Sequence, residues 1–520
     1  MQSLKAFSKY TNSRLTSNLS KAIDLNAFSF GISESQMMES AGYSVAEFIK
    51  DINKNNKKVF VFCGIGGNGG DGMVCARHLS KYFNTCVILI GNEEQIKNKS
   101  TLLNYKILKN MKSIIFESVD EALKKINKSD IIIVDAIFGV GFHGYLDKNI
   151  TDIIFQINKL SSELNRMVIA VDVPSGIDIS DKRAANAINA DYTITFYKNK
   201  EFLSESGHAG KIIVRNIGIP IDVELLTGEG DIFLATKEKS IDSNKYTNGG
   251  VLIIGGSTIY HGAPISAAIS ANNALAALRT SVGYATLFLP ESIIDTARHF
   301  SKDLIIHSFK NKLNNNDIIK VNEIKHNVTV IGPGLDTDKK SLGVISKILK
   351  NEGLKGNKII IDASAIHAYK LLLKSKSYLK NIVITPHLGE FQSLLGINIK
   401  DNDINKKIDL AINFARKTNT TLVLKGHETI ITDGKLLKIN IAKTPALATM
   451  GSGDVLNGII AAYLANGVDP FRSSVAAVYL HSIIGDILFK KKGMHIVAND
   501  IIDMIPEILK KYDIVKKVEN

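Results

Sequence analysis

Cysteine is scarce. The 520 residues hold three, Cys63, Cys75 and Cys86, all within one segment and at no metal-binding spacing. That excludes a disulfide framework. The three read as small buried apolar residues in a protein of the reducing cytoplasm. No uninterrupted apolar run approaches ~18 residues, so no transmembrane helix and no membrane partner are expected. The net charge is +13, yet the lysines are scattered and no basic run is interleaved with aromatics. Such scatter argues against a nucleic-acid partner and for an anionic small molecule. The P-loop pattern G-x-x-x-x-G-K-[ST] is missing as well, so a phosphate would have to be held another way. The first 23 residues carry Lys5, Lys9, Arg14 and Lys21 but no acid. That composition has something of a transit peptide, and a frayed N-terminal helix is the preferred reading.

What is present is a long, balanced chain. Its length exceeds one ordinary core, so two or more domains are expected. Apolar content of 45% and charged content of 22% fit a soluble globular protein. Residues 1–50 lack strand patterning, and one helical stretch ends at Gln36-Met37-Met38-Glu39-Ser40-Ala41-Gly42 before another begins. Lys58 to Cys63 is an apolar run of strand length, followed by a glycine loop from Gly64 to Gly72 and a helical pattern from Met73. Strand, glycine loop and helix form the first unit of a doubly wound sheet. Gly64, Gly66 and Gly69 spell G-x-G-x-x-G, with Glu93 and Glu94 after the next strand. A dinucleotide-dependent dehydrogenase is therefore a rival reading. Against it, Asp71 would set a negative charge on a pyrophosphate, and Asn68 with Asp71 suggests a polar cradle for a sugar or a cation. Two later strand ends repeat the layout, Ile131–Val134 before Asp135 and Val168–Val171 before Asp172. In an open parallel sheet such ends converge on one crevice.

The ordered set GGNGGDG, DAIFGVGFHG, VDVPSGID and Ala190-Asp191-Tyr192-Thr193-Ile194-Thr195-Phe196 resembles the YjeF N-terminal domain, the NAD(P)H-hydrate epimerases, over roughly Lys21 to Pro220. The resemblance implies a Rossmann-like domain that interconverts the R and S epimers of NADHX and NADPHX and binds potassium. By motif, Asn68, Asp135 and Ser175 match the potassium ligands. Gly67, Asn68, Gly69, Gly70, Asp71, Gly139, Val140, Gly141, Phe142, His143, Gly144, Tyr145 and Asp172 match substrate-binding positions. Gly67 stands where the family usually has a second Asn. Asp172 is the candidate for proton transfer, with ribose binding as the alternative role.

The first domain is expected over 1–225, a linker or crossing strand over 226–240, and a second domain over 241–520. In the second domain strand patterns again end in polar loops: Gly332-Pro333-Gly334, Asp362-Ala363-Ser364-Ala365, Pro386-His387-Leu388-Gly389-Glu390 and Lys425-Gly426-His427-Glu428-Thr429. Gly262-Ala263-Pro264 opens an alanine-rich helical pattern. The stretch Leu447 to Ile460 runs from small residues and glycines straight into a helix, with Asp454 at the junction. Unpaired N–H groups at a helix start attract a phosphate, and glycines let it approach. A carboxylate there is placed to take a proton from a hydroxyl attacking the phosphate. The plain alternative is a Gly-Ser turn with an acid near a helix N-cap.

These motifs resemble the YjeF C-terminal domain, the ADP/ATP-dependent NAD(P)H-hydrate dehydratases of ribokinase-like fold, over about Lys245 to Met504. The resemblance implies phosphorylation of the hydrate's C6 hydroxyl by ADP or ATP, with magnesium on the nucleotide, and then loss of phosphate to give NAD(P)H. Ala263, Gly334, His387 and Asp454 match hydrate-binding positions. Lys425, Gly426, His427, Glu428, Thr429 and Gly453 match the nucleotide side, and Asp454 is the base. The usual DADAL is here Asp362-Ala363-Ser364-Ala365-Ile366, one acid short. The fold class expected is thus α/β in two domains, Rossmann-like and ribokinase-like, acting as a homo-oligomer. The rivals are a ribokinase-like kinase fused to a nucleotide-binding Rossmann domain, and a non-catalytic scaffold.

Overall fold

The structure is a computed structural model that describes residues 4–257, 262–375, 379–399 and 403–516, the side chains of 262–267 excepted. The chain divides into two compact units, Asn12–Val223 and a second made of Met1–Thr11 with Glu224–Asn520.

In the first unit, buried runs such as Val59 to Cys63, Ile131 to Val134 and Val168 to Val171 form strands covered on both faces, as a parallel sheet requires. The sheet runs from edge to edge through Ile114–Phe116, Thr85–Leu89, Lys58–Cys63, Ile131–Ala136, Met167–Val171, Tyr192–Phe196 and Lys211–Arg215, all parallel. In chain order this is 3-2-1-4-5-6-7, a doubly wound sheet whose winding reverses between Lys58–Cys63 and Ile131–Ala136. Cys63 pairs with Ala136, so these two strands end level and open the crevice between their following loops.

Three local expectations change. The helix after the first strand begins at Gly67, not Met73, so most of the glycine stretch is helical. Its glycines serve close packing: a Cβ on Gly69 would lie 1.8 Å from the Gly64 carbonyl oxygen, and one on Gly72 would lie 2.5 Å from the Ala136 Cβ. The two helical stretches around Gly42 are one helix, Glu34–Ile52, capped by Ser33 and Gln36. Gly42 is needed there because a Cβ would meet the Asp71 carbonyl oxygen at 2.5 Å. The N-terminal segment forms a 3-10 turn, Leu4–Tyr10, and a helix, Ser17–Ser29, with Thr16 as its N-cap.

The second unit holds a nine-stranded sheet. Its order is Ile305–Phe309, Tyr284–Pro290, Gly250–Ile254, Val328–Ile331, Lys358–Ile361, Ile382–Ile384, Thr421–Leu424, Glu428–Thr432 and Leu437–Ile441. The strands are parallel up to Thr421–Leu424, and the last two are added antiparallel. Residues 226–240, expected as a linker or crossing strand, hold a helix, Glu229–Ala235, and a short strand, Lys239–Ser240. Helix Glu229–Ala235 buries Ile232 and Ala235 in this unit's core, and Asp231 pairs with Lys438 at 3.0 Å. No described helix is long and apolar enough to cross a membrane.

Helix Ser452–Ala465 runs through this core, with Val455, Ile459 and Ile460 fully buried. Its neighbour, Gly262–Arg279, approaches so closely that a Cβ on Gly458 would lie 2.2 Å from the Asn273 carbonyl oxygen. The variant G458A should therefore destabilise the second unit by about 1–3 kcal/mol. It would appear as an earlier calorimetric transition for that unit. An unshifted transition would mean that the helix pair separates without cost.

Candidate active sites

The crevice of the first unit encloses a cavity of about 670 Å³. Its walls include Gly67, Asn68 and Asp71 from the glycine helix, Gly139 to His143 from the loop after Ile131–Ala136, and Asp172. The predicted set divides here. Gly69 and Gly70 pack inward, Gly70 against Met38 and Thr101, and do not line the cavity. Gly144 and Tyr145 also lie off it. The Gly144 N–H donates to Asp178 at 2.9 Å, and Tyr145 is 86% exposed beneath the Arg183 guanidinium. Gly67 faces open space, so the absent Asn amide leaves room rather than a collapsed wall.

Asp172 sits at φ 62°, an uncommon conformation for a residue with a side chain. Its carboxylate accepts from Lys200 Nζ at 2.9 Å, Thr195 Oγ1 at 3.1 Å and the Val140 N–H at 3.4 Å. Lys200 is 3% exposed and also donates to the Phe196 carbonyl. Asp135 and Ser175 lie beneath the cavity wall. Ser175 Oγ and N–H donate to Asp135 at 2.6 and 2.8 Å, and the Phe138 N–H donates to Ser175 Oγ at 2.9 Å. Burial pushes the Asp135 carboxyl up to about 6, and no cation pairs with it among the described residues. The Asn68 amide is buried with neither its oxygen nor its nitrogen hydrogen-bonded.

In the second unit Asp362 ends strand Lys358–Ile361, and the next residue, Ala363, is held at φ 47°. Asp362 accepts from Lys425 Nζ at 2.9 Å, Thr385 Oγ1 at 3.0 Å and Asn457 Nδ2 at 2.8 Å. The altered DASAI segment thus keeps its first acid at the centre of a network. Gly332 at φ 126° lets the Gly332-Pro333-Gly334 loop reach this point, where a Cβ would meet the Asp362 carbonyl oxygen at 1.9 Å. Asp454 lies in the first turn of helix Ser452–Ala465, one turn before Asn457, and accepts from Asn273 Nδ2 at 3.1 Å. Burial, and then the Asp362 charge, push its carboxyl up to about 7 against the pull of Asn273 and Lys425.

Beside this network is a second cavity of about 760 Å³, lined by Lys425, Gly426, His427, Thr429 and Gly453. Lys425 to His427 form the turn of the hairpin joining Thr421–Leu424 to Glu428–Thr432. Thr429 Oγ1 donates to the Gly426 carbonyl at 3.0 Å, while Glu428 turns to His427 at 3.2 Å. His387 is the N-cap of helix Leu388–Leu395. Its Nδ1 accepts from the Gly389 and Glu390 N–H groups, and its Nε2 lies 3.5 Å from the Glu390 carboxylate. Ala263 falls in helix Gly262–Arg279, and its side chain lies outside the described residues.

Several contributors carry no sequence signal of their own. Lys200 is one lysine among many, Asn273 and Asn457 sit mid-helix, and His481 lies on the long helix Pro470–Lys492. His481 Nε2 meets Ser452 Oγ at 3.0 Å, and burial lowers the imidazole to about 4, so it is neutral at pH 7.

Two doubly wound units, one with a polar crevice at its switch point and one with a carboxylate and a lysine at a glycine-rich helix start, define a fused pair of α/β enzyme domains. Residues 34–202 match the family described as YjeF-related protein N-terminus, and residues 251–507 match NAD(P)H-hydrate dehydratase. The chain is 34% identical to a bifunctional NAD(P)H-hydrate repair enzyme of Methanocaldococcus jannaschii, across 94% of this chain and 92% of that one. It is 31% identical to its namesake from Pyrobaculum aerophilum, across 94% and 96%. Among solved structures, a ribokinase-like superfamily protein from Enterococcus faecalis V583 is 28% identical, with a TM-score of 0.46, over 54% of this chain and 95% of that one. The chain belongs to the family of bifunctional NAD(P)H-hydrate repair enzymes.

The raised Asp454 carboxyl has a consequence for stability. An acid held above its unfolded value contributes its full stability at low pH and loses it as pH rises through about 7. The D454N variant escapes that loss. It should melt at a higher temperature than the wild type at about pH 8, and the gap should close toward about pH 4. Equal melting at both would contradict the burial of an ionisable Asp454.

Proposed function

We propose that the chain repairs hydrated nicotinamide nucleotides in two stages. The first unit interconverts the R and S forms of NADHX and NADPHX. The second dehydrates the S form at the expense of ADP or ATP. The observation that carries the second activity is the Lys425–Asp362 pair at 2.9 Å, beside Asp454 in the first turn of a glycine-led helix.

The nucleotide would occupy the cavity beside Lys425 to Thr429, with its terminal phosphate toward the N–H groups of the Gly451–Gly453 segment. Lys425 supplies charge to the transferred phosphoryl, and Asp362 fixes where that charge sits. Asp454, raised to about 7, competes for a hydroxyl proton at neutral pH. It takes the proton as the C6 oxygen attacks phosphorus. Phosphate then leaves with that oxygen, and loss of a neighbouring ring proton restores the double bond. Phosphorylation is needed because hydroxide is a poor leaving group. Magnesium would arrive on the nucleotide phosphates. Among the described residues no group of three His, Cys, Asp or Glu is placed to hold a metal ion alone.

In the first unit Asp172 is the proton-transfer group, and Asn68, Asp135 and Ser175 would hold potassium. The unpaired Asn68 amide and the Asp135 carboxyl without a counter-charge support that assignment, since both offer oxygen to a hard monovalent cation. A cation there would supply fixed positive charge to an anionic substrate. The three free, buried cysteines support a reducing, cytoplasmic setting. Homo-oligomeric assembly belongs to the same reading and is decided by solution sizing.

A mixture of R and S hydrates with ADP or ATP and magnesium should return fully to reduced-nicotinamide absorbance. Recovery that stops at the S fraction would remove the epimerase half, and no recovery would remove the dehydratase. The D454N chain should epimerise but not dehydrate. Because the Asp362 charge raises Asp454, D362N should move the acid limb of the dehydration pH profile to lower pH and weaken nucleotide binding. A limb that stays in place would contradict the coupling.

A further inference from the structure

Seven ionisable side chains line the crevice of the first unit: Asp24, Glu34, Asp71, His143, Asp172, Tyr197 and Lys200. They are held very differently. Asp172 is fixed by the Lys200 ammonium and Thr195. Glu34 is exposed and accepts from Asn98 and Ser100. His143 leans on Ser17 and Asp178. Asp24 projects from helix Ser17–Ser29 into the same cavity among Leu15, Ile23, Met37 and Met38, half-buried, with no hydrogen bond to its carboxyl among the described residues. The crevice therefore contains one carboxylate anchored by a cation, Asp172, and two carboxyls without such an anchor, Asp24 and Asp71, of which Asp24 lies among the apolar residues named above.

We propose that Asp24 is the second proton-transfer group of the epimerase, working with Asp172 as an acid–base pair on the C6 hydroxyl. This rests on the epimerase reading given above. Asp24 gives its proton to the C6 hydroxyl oxygen. The C6–O bond breaks with its electron pair on oxygen, water departs, and the N1 lone pair forms an N1=C6 iminium. Water then adds to the other face, the π pair returns to N1, and Asp172 takes the proton of the added water. One proton has moved from Asp24 to Asp172. That leaves the pair charged correctly for the reverse conversion, or for reset by exchange with solvent.

A site that keeps one carboxyl protonated beside a second carboxylate holds both an acid and a base. Burial, with the Asp172 and Glu34 charges, raises Asp24 to about 7, while Lys200 pulls the other way. The neighbouring Asp71 is also raised well above the ordinary carboxyl range, by burial and by the Asp172, Asp24 and Glu34 charges. Asp24 thus keeps its proton near neutrality and gives it up just above, which suits a proton donor.

The test uses the full chain and purified R-NADHX, with epimerisation followed by chromatography in H2(18)O and no nucleotide present. The wild type should incorporate one solvent oxygen per epimerisation, and its kcat should fall as pH rises through about 7. The D24N variant should lose about 100-fold or more in kcat with little change in KM. It should dehydrate S-NADHX at the wild-type rate, which shows that the chain is folded. D24E, which keeps a carboxyl, should restore part of the loss. Epimerisation by D24N within a few-fold of wild type, or epimerisation that retains the original oxygen, would overturn the proposal. A wild-type chain that does not epimerise at all would instead overturn the epimerase reading itself.

Discussion

Asp362 and Lys425 meet at 2.9 Å, and the second unit is arranged so that they must. A lysine half-buried at a hairpin turn costs desolvation free energy unless a carboxylate answers it. Asp362 answers it from the end of its strand, next to a residue in a strained backbone conformation and under a glycine that alone permits the contact. Asn457 ties the same carboxylate to helix Ser452–Ala465, and so fixes the height of that helix against the sheet. Asp454 is carried one turn away on that helix. The distance between base, lysine and glycine cradle therefore follows from how one buried acid is satisfied.

The first unit solves the same problem once and leaves it open elsewhere. Asp172 is satisfied by Lys200 and Thr195, and a backbone held at φ 62° keeps it aimed into the crevice. Asp24 and Asp71 receive no such partner, and burial raises both. In both units a carboxylate tied to a lysine stands beside a more loosely held carboxyl, Asp24 or Asp454, that burial raises to about 7. Lost stability at those positions is the expected cost of a proton kept available at neutral pH.

Much of this was readable in the chain. Apolar runs that end in glycine and a polar residue marked the strand ends, and a parallel sheet collects such ends on one side. Gly451 to Asp454, Asn68 and Asp172 were legible because their residue types are unusual at a strand or helix boundary. Lys200, Asn273, Asn457 and Asp24 were not. Each is a common polar residue within an ordinary pattern, and only tertiary contact sets it apart. The glycine stretch from Gly64 misled as to where the helix starts, since glycine signals a turn in sequence but here serves the close approach of Gly69 to Gly64 and of Gly72 to Ala136. Residues 226–240 looked like a linker or crossing strand because a seven-residue helix carries too little periodicity to be read.

The central claim is that the hydrate oxygen leaves as part of phosphate. The most direct measurement starts from S-NADHX labelled with (18)O at the C6 hydroxyl, in a D172N chain so that the first unit does not exchange the label. With ADP or ATP and magnesium, the inorganic phosphate released should carry one labelled oxygen for each NADH recovered. Label appearing in water, with unlabelled phosphate, would contradict the account.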